Sequence, residues 1–271
     1  MMKRLRMRGW LACCGVALLT ALPAAALEVQ GTITTTDDKS FDGVIRWKGV
    51  AKVYIVSKNN IDLEVVPGKV REITVAEPTG LREAIRAVQG GRLPQAIPVL
   101  VKLADDYAML QWDVPATRWL AEAHLKDGKP DQAVRVCEQA VDHHPNGALD
   151  GELAPVYWRA LLAAGRGSKL ADLLDKAAGA AAPETQARAW TMRGEILRKQ
   201  GDLKGALRDG YLRAIVLYPK TPVARAEALY RAMSCFEELG QLAYAEKMRK
   251  HLLTEYPDSE GAQRLKSGDR S

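Results

Sequence analysis

Long apolar runs, aromatic residues and low-complexity tracts are all scarce in this 271-residue chain. Aromatic residues make up 6% of the sequence, while 47% of the residues are hydrophobic and 27% are charged. This balance is typical of a folded soluble protein and excludes a largely disordered one. The longest apolar stretch, Trp10–Leu22, has about 13 residues, whereas a helix that crosses a bilayer needs roughly 20. The sequence therefore argues against a permanent membrane anchor.

Catalytic and metal-binding motifs are also missing. There is no glycine-rich phosphate loop, zinc-ligand spacing or nucleophile elbow. His143 and His144 lie next to each other at the end of a helical pattern, where side chains are usually solvated, so we do not predict a metal site there. Asp105 and Asp106 are helix neighbours that point about 100° apart and cannot easily share a proton. We predict a protein that is not an enzyme and needs no cofactor or metal.

The net charge of the chain is +6, from 39 basic and 33 acidic residues. Four of the basic residues, Lys3, Arg4, Arg6 and Arg8, lie in a leading segment that contains no acidic residue. Without that segment the balance is 35 basic to 33 acidic residues, or +2. Bulk charge therefore gives no reason to expect a nucleic acid partner.

Residues 1–26 have the organisation of a secretory signal peptide. The basic start is followed by the apolar stretch Trp10–Leu22 and then by Ala24–Ala26, which satisfies the small-x-small cleavage rule. We predict cleavage after Ala26 and a periplasmic or secreted protein. A lipoprotein is the alternative, because Cys13 and Cys14 could be acylated. They fall early in the apolar stretch, and Trp10 stands where a leucine-like residue is expected, so cleavage without lipidation is favoured.

Only Cys137 and Cys235 remain after that cleavage. An oxidising compartment would permit a disulfide bond between them. Each lies inside a helical pattern, where cysteine usually behaves as a small buried hydrophobic residue. Burial is therefore the favoured interpretation, although the sequence leaves open whether the two are paired.

From residue 27 to about residue 78 the apolar residues alternate with period two and are rich in β-branched types. Turn residues interrupt the pattern four times, at Asp37–Ser40, Lys48–Gly49, Asn59–Asn60 and Pro67–Gly68. Five short antiparallel strands are predicted, forming a small β-barrel or a curled sheet. In strand number and length the segment loosely resembles an SH3-like or Sm-like barrel. Trp47 and Tyr54 could then bind a peptide or nucleic acid, but core packing is the favoured role of these two rings.

After residue 78 helical periodicity continues to the end of the chain. Four segments share one spacing, in which a packing residue precedes an alanine by twelve positions and a glycine precedes the same alanine by five. These are Ala84, Gly91 and Ala96; Ala121, Gly128 and Ala133; Gly194, Gly201 and Ala206; and Met233, Gly240 and Ala245. The glycine permits a tight turn between two helices, and the small residues let those helices approach closely.

This pattern resembles the tetratricopeptide repeat family. Trp190 stands at the aromatic position of the fourth unit, which closes one residue late at Tyr218–Pro219, and Pro145 and Pro257 close the second and fifth units. A third unit is expected around Trp158, Gly165 and Ala171, with one inserted residue and no closing proline. The resemblance implies a mainly α fold, an α-solenoid of about five helical hairpins over residues 79–271, preceded by the β segment over residues 27–78.

Two further boundaries follow from the pattern. A short final helix over residues 260–266, which begins after Ser259, is expected to cover the last hydrophobic face. The β segment and the helical array are predicted to be separable folding units, joined near the breaker-rich stretch Glu77–Gly80.

The resemblance also implies a concave groove that binds a peptide or protein, lined by repeat positions 2, 5, 9, 12 and 13. In this chain the positions fall on Arg118, Glu122, Lys126, Arg159, Arg188, Glu195, Arg198, Lys199 and Tyr230. The centre of the groove would be basic, and Glu227, Glu237 and Glu238 would make one end acidic. Such a groove favours a partner with an acidic segment or a free C-terminal carboxylate. The alternative is an ordinary solvated charged face.

The predicted function is thus an exported, non-catalytic scaffold or adaptor, active in a cell-envelope assembly. The sequence leaves open whether that assembly is a membrane-associated complex. Two alternatives remain open. The chain could be a structural subunit that uses its convex or terminal faces, or an accessory of a cell-wall enzyme with weak catalysis of its own.

Overall fold

The computed structural model describes residues 28–180 and 182–268. The predicted signal peptide and its cleavage site after Ala26 lie outside these residues. None of the helices within the described ranges combines the length and the apolar character that a membrane span requires.

The chain begins with five strands, β1 (Val29–Thr35), β2 (Ser40–Lys48), β3 (Val53–Lys58), β4 (Ile61–Val65) and β5 (Val70–Val75). They form one antiparallel sheet in the order β4-β3-β2-β1-β5. Because β4 and β5 lie at opposite edges, this sheet does not close on itself. Of the two predicted forms, the sheet is confirmed and the closed SH3-like or Sm-like barrel is not found.

One face of the sheet carries the core of this segment. Ile33 and Ile45 are fully buried, and Tyr54 is 5% exposed. The rings of Trp47 and Tyr54 lie side by side, with centroids 4.9 Å apart. Burial raises the pKa of the Tyr54 hydroxyl to about 12, which keeps that group protonated. Tyr54 therefore lies in the core and the partly exposed Trp47 packs against it, which is the packing role that the sequence favoured.

The loop after the second helix packs against the sheet. Leu110 is 2% exposed and belongs to the core of the sheet. Two hydrogen bonds tie the same loop to the last strand: Trp112 Nε1 donates to Val75 O at 3.0 Å, and Val75 N donates to Gln111 Oε1 at 3.2 Å. The sheet thus packs against the helical array through specific contacts. That the sheet and the array fold as separate units stays a prediction.

Twelve α-helices follow in the described part of the chain. Their bounds are α1 (Leu81–Gln89), α2 (Leu93–Asp106), α3 (Asp113–Lys126), α4 (Pro130–His143), α5 (Leu153–Ala163), α6 (Gly167–Ala180), α7 (Pro183–Lys199), α8 (Leu203–Ala206), α9 (Leu212–Leu217), α10 (Pro222–Glu238), α11 (Leu242–Glu255) and α12 (Glu260–Ser267). The first eleven make five hairpins, because α8 and α9 together form the second arm of the fourth. The predicted mainly α fold of about five hairpins is confirmed.

Each hairpin turns at a glycine in the left-handed region of backbone space. Gly91, Gly128, Gly165, Gly201 and Gly240 have φ angles between 69° and 84°. A side chain at such a position would clash with the backbone, whereas glycine adopts the conformation without strain. The glycine spacing in the sequence therefore marks all five turns.

The third hairpin contains no inserted residue, contrary to the prediction. Helix α6 begins two residues after Gly165, as the second arm does after the turn glycine in every other hairpin. Leu170 is fully buried at the expected alanine position, whereas Ala171 is exposed. Trp158 replaces the small residue on the opposing helix and is 1% exposed, and its Nε1 donates to Ala148 O at 2.9 Å. Larger side chains thus fill this hairpin in the ordinary register.

The fourth hairpin does contain an extra residue. A π-helical turn, Leu207–Tyr211, joins α8 to α9, and such a turn inserts one residue into a helix. This insertion accounts for the late closing proline of that repeat. Within the turn, Gly210 packs directly on Gly194 of α7, so that a Cβ at position 210 would lie 2.4 Å from the Gly194 Cα. The two helices meet backbone to backbone at this point.

The final helix and the cysteines agree with their predictions. Helix α12 begins after Ser259, whose hydroxyl oxygen caps it by accepting from the Ala262 backbone N–H at 3.3 Å. Cys137 and Cys235 are free and fully buried, in different hydrophobic clusters. Burial raises the pKa of the Cys137 thiol to about 12 and that of the Cys235 thiol to about 11. Both cysteines therefore act as small core residues with little thiolate character.

Candidate protein-binding groove

The first helices of successive hairpins line one cavity of about 610 Å³. Along this cavity the order of the helices is α3, α5, α7, α10 and α12, and each helix packs against the next. The last of them, α12, closes the far end of the cavity. Seven of the nine predicted groove residues line this cavity: Arg118, Glu122, Lys126, Arg159, Arg188, Glu195 and Tyr230. We call this cavity, with its lining side chains, the groove.

Arg198 and Lys199 are not among the lining residues, and each contacts a neighbouring hairpin. Arg198 forms an ion pair with Glu238 of α10. The ammonium of Lys199 donates to Leu162 O, near the end of α5, at 2.8 Å. A cation at the C-terminal carbonyls of a helix is favoured by the helix dipole. These two side chains therefore hold adjacent hairpins together.

Lys126 makes the same kind of contact two hairpins earlier in the array. Its ammonium donates to Val88 O, near the end of α1, at 3.2 Å. Arg159 forms a second cross-link, donating to both carboxylate oxygens of Glu122 at 3.3 and 2.7 Å. This paired geometry joins α5 to α3 and uses two in-plane N–H donors at the edge of the guanidinium. Lys126 and Arg159 thus contribute charge to the groove, while one donor of Lys126 and two donors of Arg159 are engaged within the chain.

Arg118 and Arg188 are held much less firmly. Arg118 Nη1 lies 3.9 Å from Glu152 Oε2, and Arg188 Nη2 lies 3.5 Å from Glu184 Oε1. Within the described residues neither guanidinium makes a hydrogen bond, and Arg118 lies over the ring of Trp119 with 4.8 Å to its centroid. Both guanidinium groups therefore keep their donors available for a ligand.

Glu195 is fixed by the π-helical turn of the fourth hairpin. The Tyr211 hydroxyl donates to its Oε1 at 2.7 Å, and Arg231 Nε lies 3.4 Å from the same oxygen. Tyr211 is fully buried, and this burial, together with the negative charge of Glu195, raises the pKa of its hydroxyl far above the usual range. The insertion in the helix thus places a permanent hydrogen-bond donor against a groove carboxylate.

The groove carries a surplus of positive charge at one end. Its lining contains six basic and four acidic side chains. On α10 and α12 the charges balance, since Arg231 and Arg264 face Glu227 and Glu260. The surplus therefore lies on α3, α5 and α7, which places it at one end of the groove, whereas the sequence analysis expected a basic centre.

The far end of the groove is neutral, not acidic as predicted. Glu237 pairs with Arg249 at 2.8 Å, Glu238 pairs with Arg198, and neither glutamate lines the groove. Tyr230 is only 9% exposed because α12 covers it, with Gly261 in direct contact with its side chain. The cap helix thus removes part of the wall that the fifth repeat was expected to offer.

Several lining residues were missed by the sequence analysis. They are mainly apolar or belong to the cap: Trp119, Pro155, Trp158, Met192, Pro222, Val223, Ala226, Tyr256, Gly261 and Arg264. The apolar ones occupy helix positions that periodicity assigns to the core, and α12 has no place in the repeat pattern. Pro222 and Val223 are the exceptions, because they are exposed in the first turn of α10, but single exposed apolar residues are ordinary and gave no signal for a site.

The histidines and carboxylates form no metal site in the described ranges. His144 is more enclosed than the predicted solvated position. Its Nε2 lies 2.6 Å from Asp113 Oδ2, and this hydrogen bond raises the pKa of the imidazole above its ordinary value. Asp113 also accepts from the backbone N–H groups of Met109 and Val114 at 2.8 and 2.9 Å. The pair thus stabilises the start of α3.

Comparison with known proteins identifies the repeats. The family model described as tetratricopeptide repeat matches residues 118–147 and 227–259, which contain most of the second and fifth hairpins. The chain therefore carries tetratricopeptide repeats, as its glycine and alanine spacing predicted. This class of repeat protein uses its extended concave surface to bind partners. No curated protein matches the chain significantly.

Solved structures of similar repeats have low sequence identity to the chain. One is a crystal structure of Podosopora anserina nearly identical TPR-like repeats, described as from a kinesin light chain: 16% identity, 71% of this chain and 96% of that chain covered, TM-score 0.45. Another is MamA (AMB-1), with 20% identity, 70% of this chain and 99% of that chain covered, and a TM-score of 0.40.

Proposed function

We propose that this protein is a non-catalytic scaffold that holds a segment of a partner protein in its groove. The observation that carries this proposal is the cavity of about 610 Å³ along the first helices of successive repeats, lined by apolar side chains and by a surplus of cations. Cavities of roughly 300–1,000 Å³ with a few placed polar groups are typical binding sites. A short stretch of polypeptide fits such a space.

The charge of the groove indicates the chemistry of the partner. Arg118 and Arg188 line the basic end, and their donors are not engaged in hydrogen bonds within the described chain. A guanidinium can donate two parallel hydrogen bonds to one carboxylate. We therefore infer that the bound segment presents an acidic side chain or a free C-terminal carboxylate to these two arginines.

Replacing both Arg118 and Arg188 by glutamine is expected to weaken partner binding at least tenfold, or about 1.4 kcal/mol. The physical reason is the loss of charge-assisted hydrogen bonds to the ligand, while the loose ion pairs of these arginines contribute little to folding. Binding can be measured by titrating the tagged chain with the partner that copurifies from the native envelope. Arg198 and Lys199 are unsuitable for this test because they join hairpins.

A matched control is the double variant Arg46→Gln and Arg166→Gln. Both arginines are exposed, form surface ion pairs and lie outside the groove. This control variant should bind the partner with the affinity of the original chain. A higher salt concentration should weaken partner binding by the control and by the original chain, because salt screens exposed charges. Equal affinities for the control and the Arg118/Arg188 variant would show that the partner contacts another face.

We further propose that the scaffold works outside the cytoplasm, in an assembly of the cell envelope. The support is the order of basic start, apolar stretch and Ala24–Ala26 in the leading segment. N-terminal sequencing of the protein recovered from its native compartment should begin at Leu27. Recovery of cytosolic protein that still begins at Met1 would contradict export.

A further inference from the structure

Val223 is an exposed apolar residue inside the groove. It follows Pro222 in the first turn of α10 and is 60% exposed, although it lines the cavity. Met192 and Trp158 contribute little surface, at 9% and 1% exposed, whereas Pro222 is exposed and Trp119, Pro155 and Tyr256 are partly exposed. Val223 therefore offers the groove an apolar surface that water covers in the free chain. Val223 and its exposed neighbour Pro222 together form a small apolar surface in a concave site, and ligand pockets are typically lined by apolar side chains with a few placed polar groups.

The position of Val223 relative to the charges is equally informative. The helices that carry the groove follow the order α3, α5, α7, α10 and α12. Arg118 and Arg188 lie on α3 and α7, so Val223 on α10 lies on the far side of Arg188 from Arg118. At this end Arg231 and Arg264 are balanced by Glu227 and Glu260. The groove thus has a cationic end and a neutral, apolar end.

We propose that Val223 selects a large apolar side chain in the bound segment, next to the acidic group held by Arg118 and Arg188. This inference rests on the proposed function and adds a second determinant to it. The partner is then a short acidic and apolar stretch of polypeptide with one direction in the groove, its acidic group toward α3 and its apolar side chain toward α10. Charge complementarity fixes the first contact, and removal of Val223 and its partner residue from water stabilises the second.

The first part of the test identifies the peptide chemistry with a defined probe. A phage-displayed library of random octapeptides is selected on the immobilised full chain. Peptides that combine aspartate or glutamate with leucine, isoleucine, methionine or phenylalanine at a constant spacing are expected to be enriched. The same selection on the Arg118→Gln, Arg188→Gln variant should lose the acidic preference and keep the apolar one, and Val223→Ser should do the reverse.

The second part measures affinity for a synthetic peptide with the enriched sequence. Val223→Ser is expected to weaken its binding about fivefold or more, since the serine hydroxyl cannot replace the buried valine surface. Val216→Ser is the matched control, because Val216 is 69% exposed on α9 and lies outside the groove. Both side chains are exposed, so both variants should keep the melting temperature of the original chain.

The outcomes separate this inference from the proposed function. If enriched peptides are acidic only, and Val223→Ser binds them like Val216→Ser, the apolar determinant is overturned while peptide binding in the groove stands. If the library gives no enrichment on the original chain, or gives peptides that bind equally to all the variants, the proposed function and this inference are both overturned.

Discussion

Replacing Trp158 by alanine is expected to lower the free energy of unfolding by about 4 kcal/mol, because large-to-small substitutions of buried aromatic residues typically cost 3–5 kcal/mol. Trp158 is 1% exposed and occupies a helix position that a small residue fills in the neighbouring hairpins. Its removal leaves a cavity between α5 and its neighbours and deprives Ala148 O of a hydrogen bond. Urea unfolding followed by circular dichroism measures the loss.

The control for this prediction is Trp119→Ala. Trp119 is a partly exposed tryptophan on the wall of the groove, so its removal should destabilise the chain by less than half as much. A loss below about 1.5 kcal/mol for Trp158→Ala would mean that the third hairpin collapses into the vacated space, because the cost of such substitutions depends on how well a site can relax. The ordinary register found for Leu170 would then be one of several packings.

Replacing Gly210 by alanine is expected to destabilise the chain by about 2–3 kcal/mol, the upper part of the usual range of about 1–3 kcal/mol for a methyl group forced into a packed site. The added Cβ would lie 2.4 Å from Gly194 Cα and 2.6 Å from Gly194 N. Both neighbours are backbone atoms of α7, so neither can rotate away. The π-helical turn and α7 must separate, and the hydrogen bond from Tyr211 to Glu195 should weaken with them.

Gly179→Ala is the matched control for Gly210. Gly179 also lies in a helix, α6, but an added Cβ would meet nothing within 4 Å. Alanine is favoured over glycine inside a helix by about 0.5–1 kcal/mol, so this variant should be slightly more stable than the original chain. Thermal unfolding of the two variants under identical conditions tests the difference. Equal stability of both would contradict the close backbone contact in the fourth hairpin.

Local patterns in the sequence carried much of the fold. Period-two alternation identified the five strands, and the glycine spacing located all five hairpin turns, because a left-handed turn conformation is a property of single residues. Ser259 marked the start of α12, since its side chain caps the helix locally. The same local patterns did not decide whether the sheet closes into a barrel. Whether β4 meets β5 depends on twist and on the loop around Leu110, which comes from elsewhere in the chain.

In the groove, the sequence predicted which side chains lie on the inner helices but not which of them are already paired. Repeat register selected Arg118, Glu122, Arg159 and Arg188, and these four side chains line one cavity, because helix periodicity sets the direction of a side chain. It could not tell free arginines from engaged ones. Arg159 pairs with Glu122 and Arg198 pairs with Glu238, and in each pair the partners are about 40 residues apart in the sequence. Only the stacking of the hairpins therefore decides which cations remain available to a ligand.

The sequence by itself determined that this chain is a β segment followed by stacked helical hairpins with a capped end, because strands, helices, turns and caps follow from residues close together in the chain. Only the tertiary structure decided that Trp158 and Leu170 keep the third hairpin in register, that the fourth contains a π-helical turn, and that α12 covers Tyr230 and leaves Val223 exposed in the groove. The physical reason is that packing, ion pairing and solvent exposure depend on the surroundings of a side chain, and those surroundings come from distant repeats.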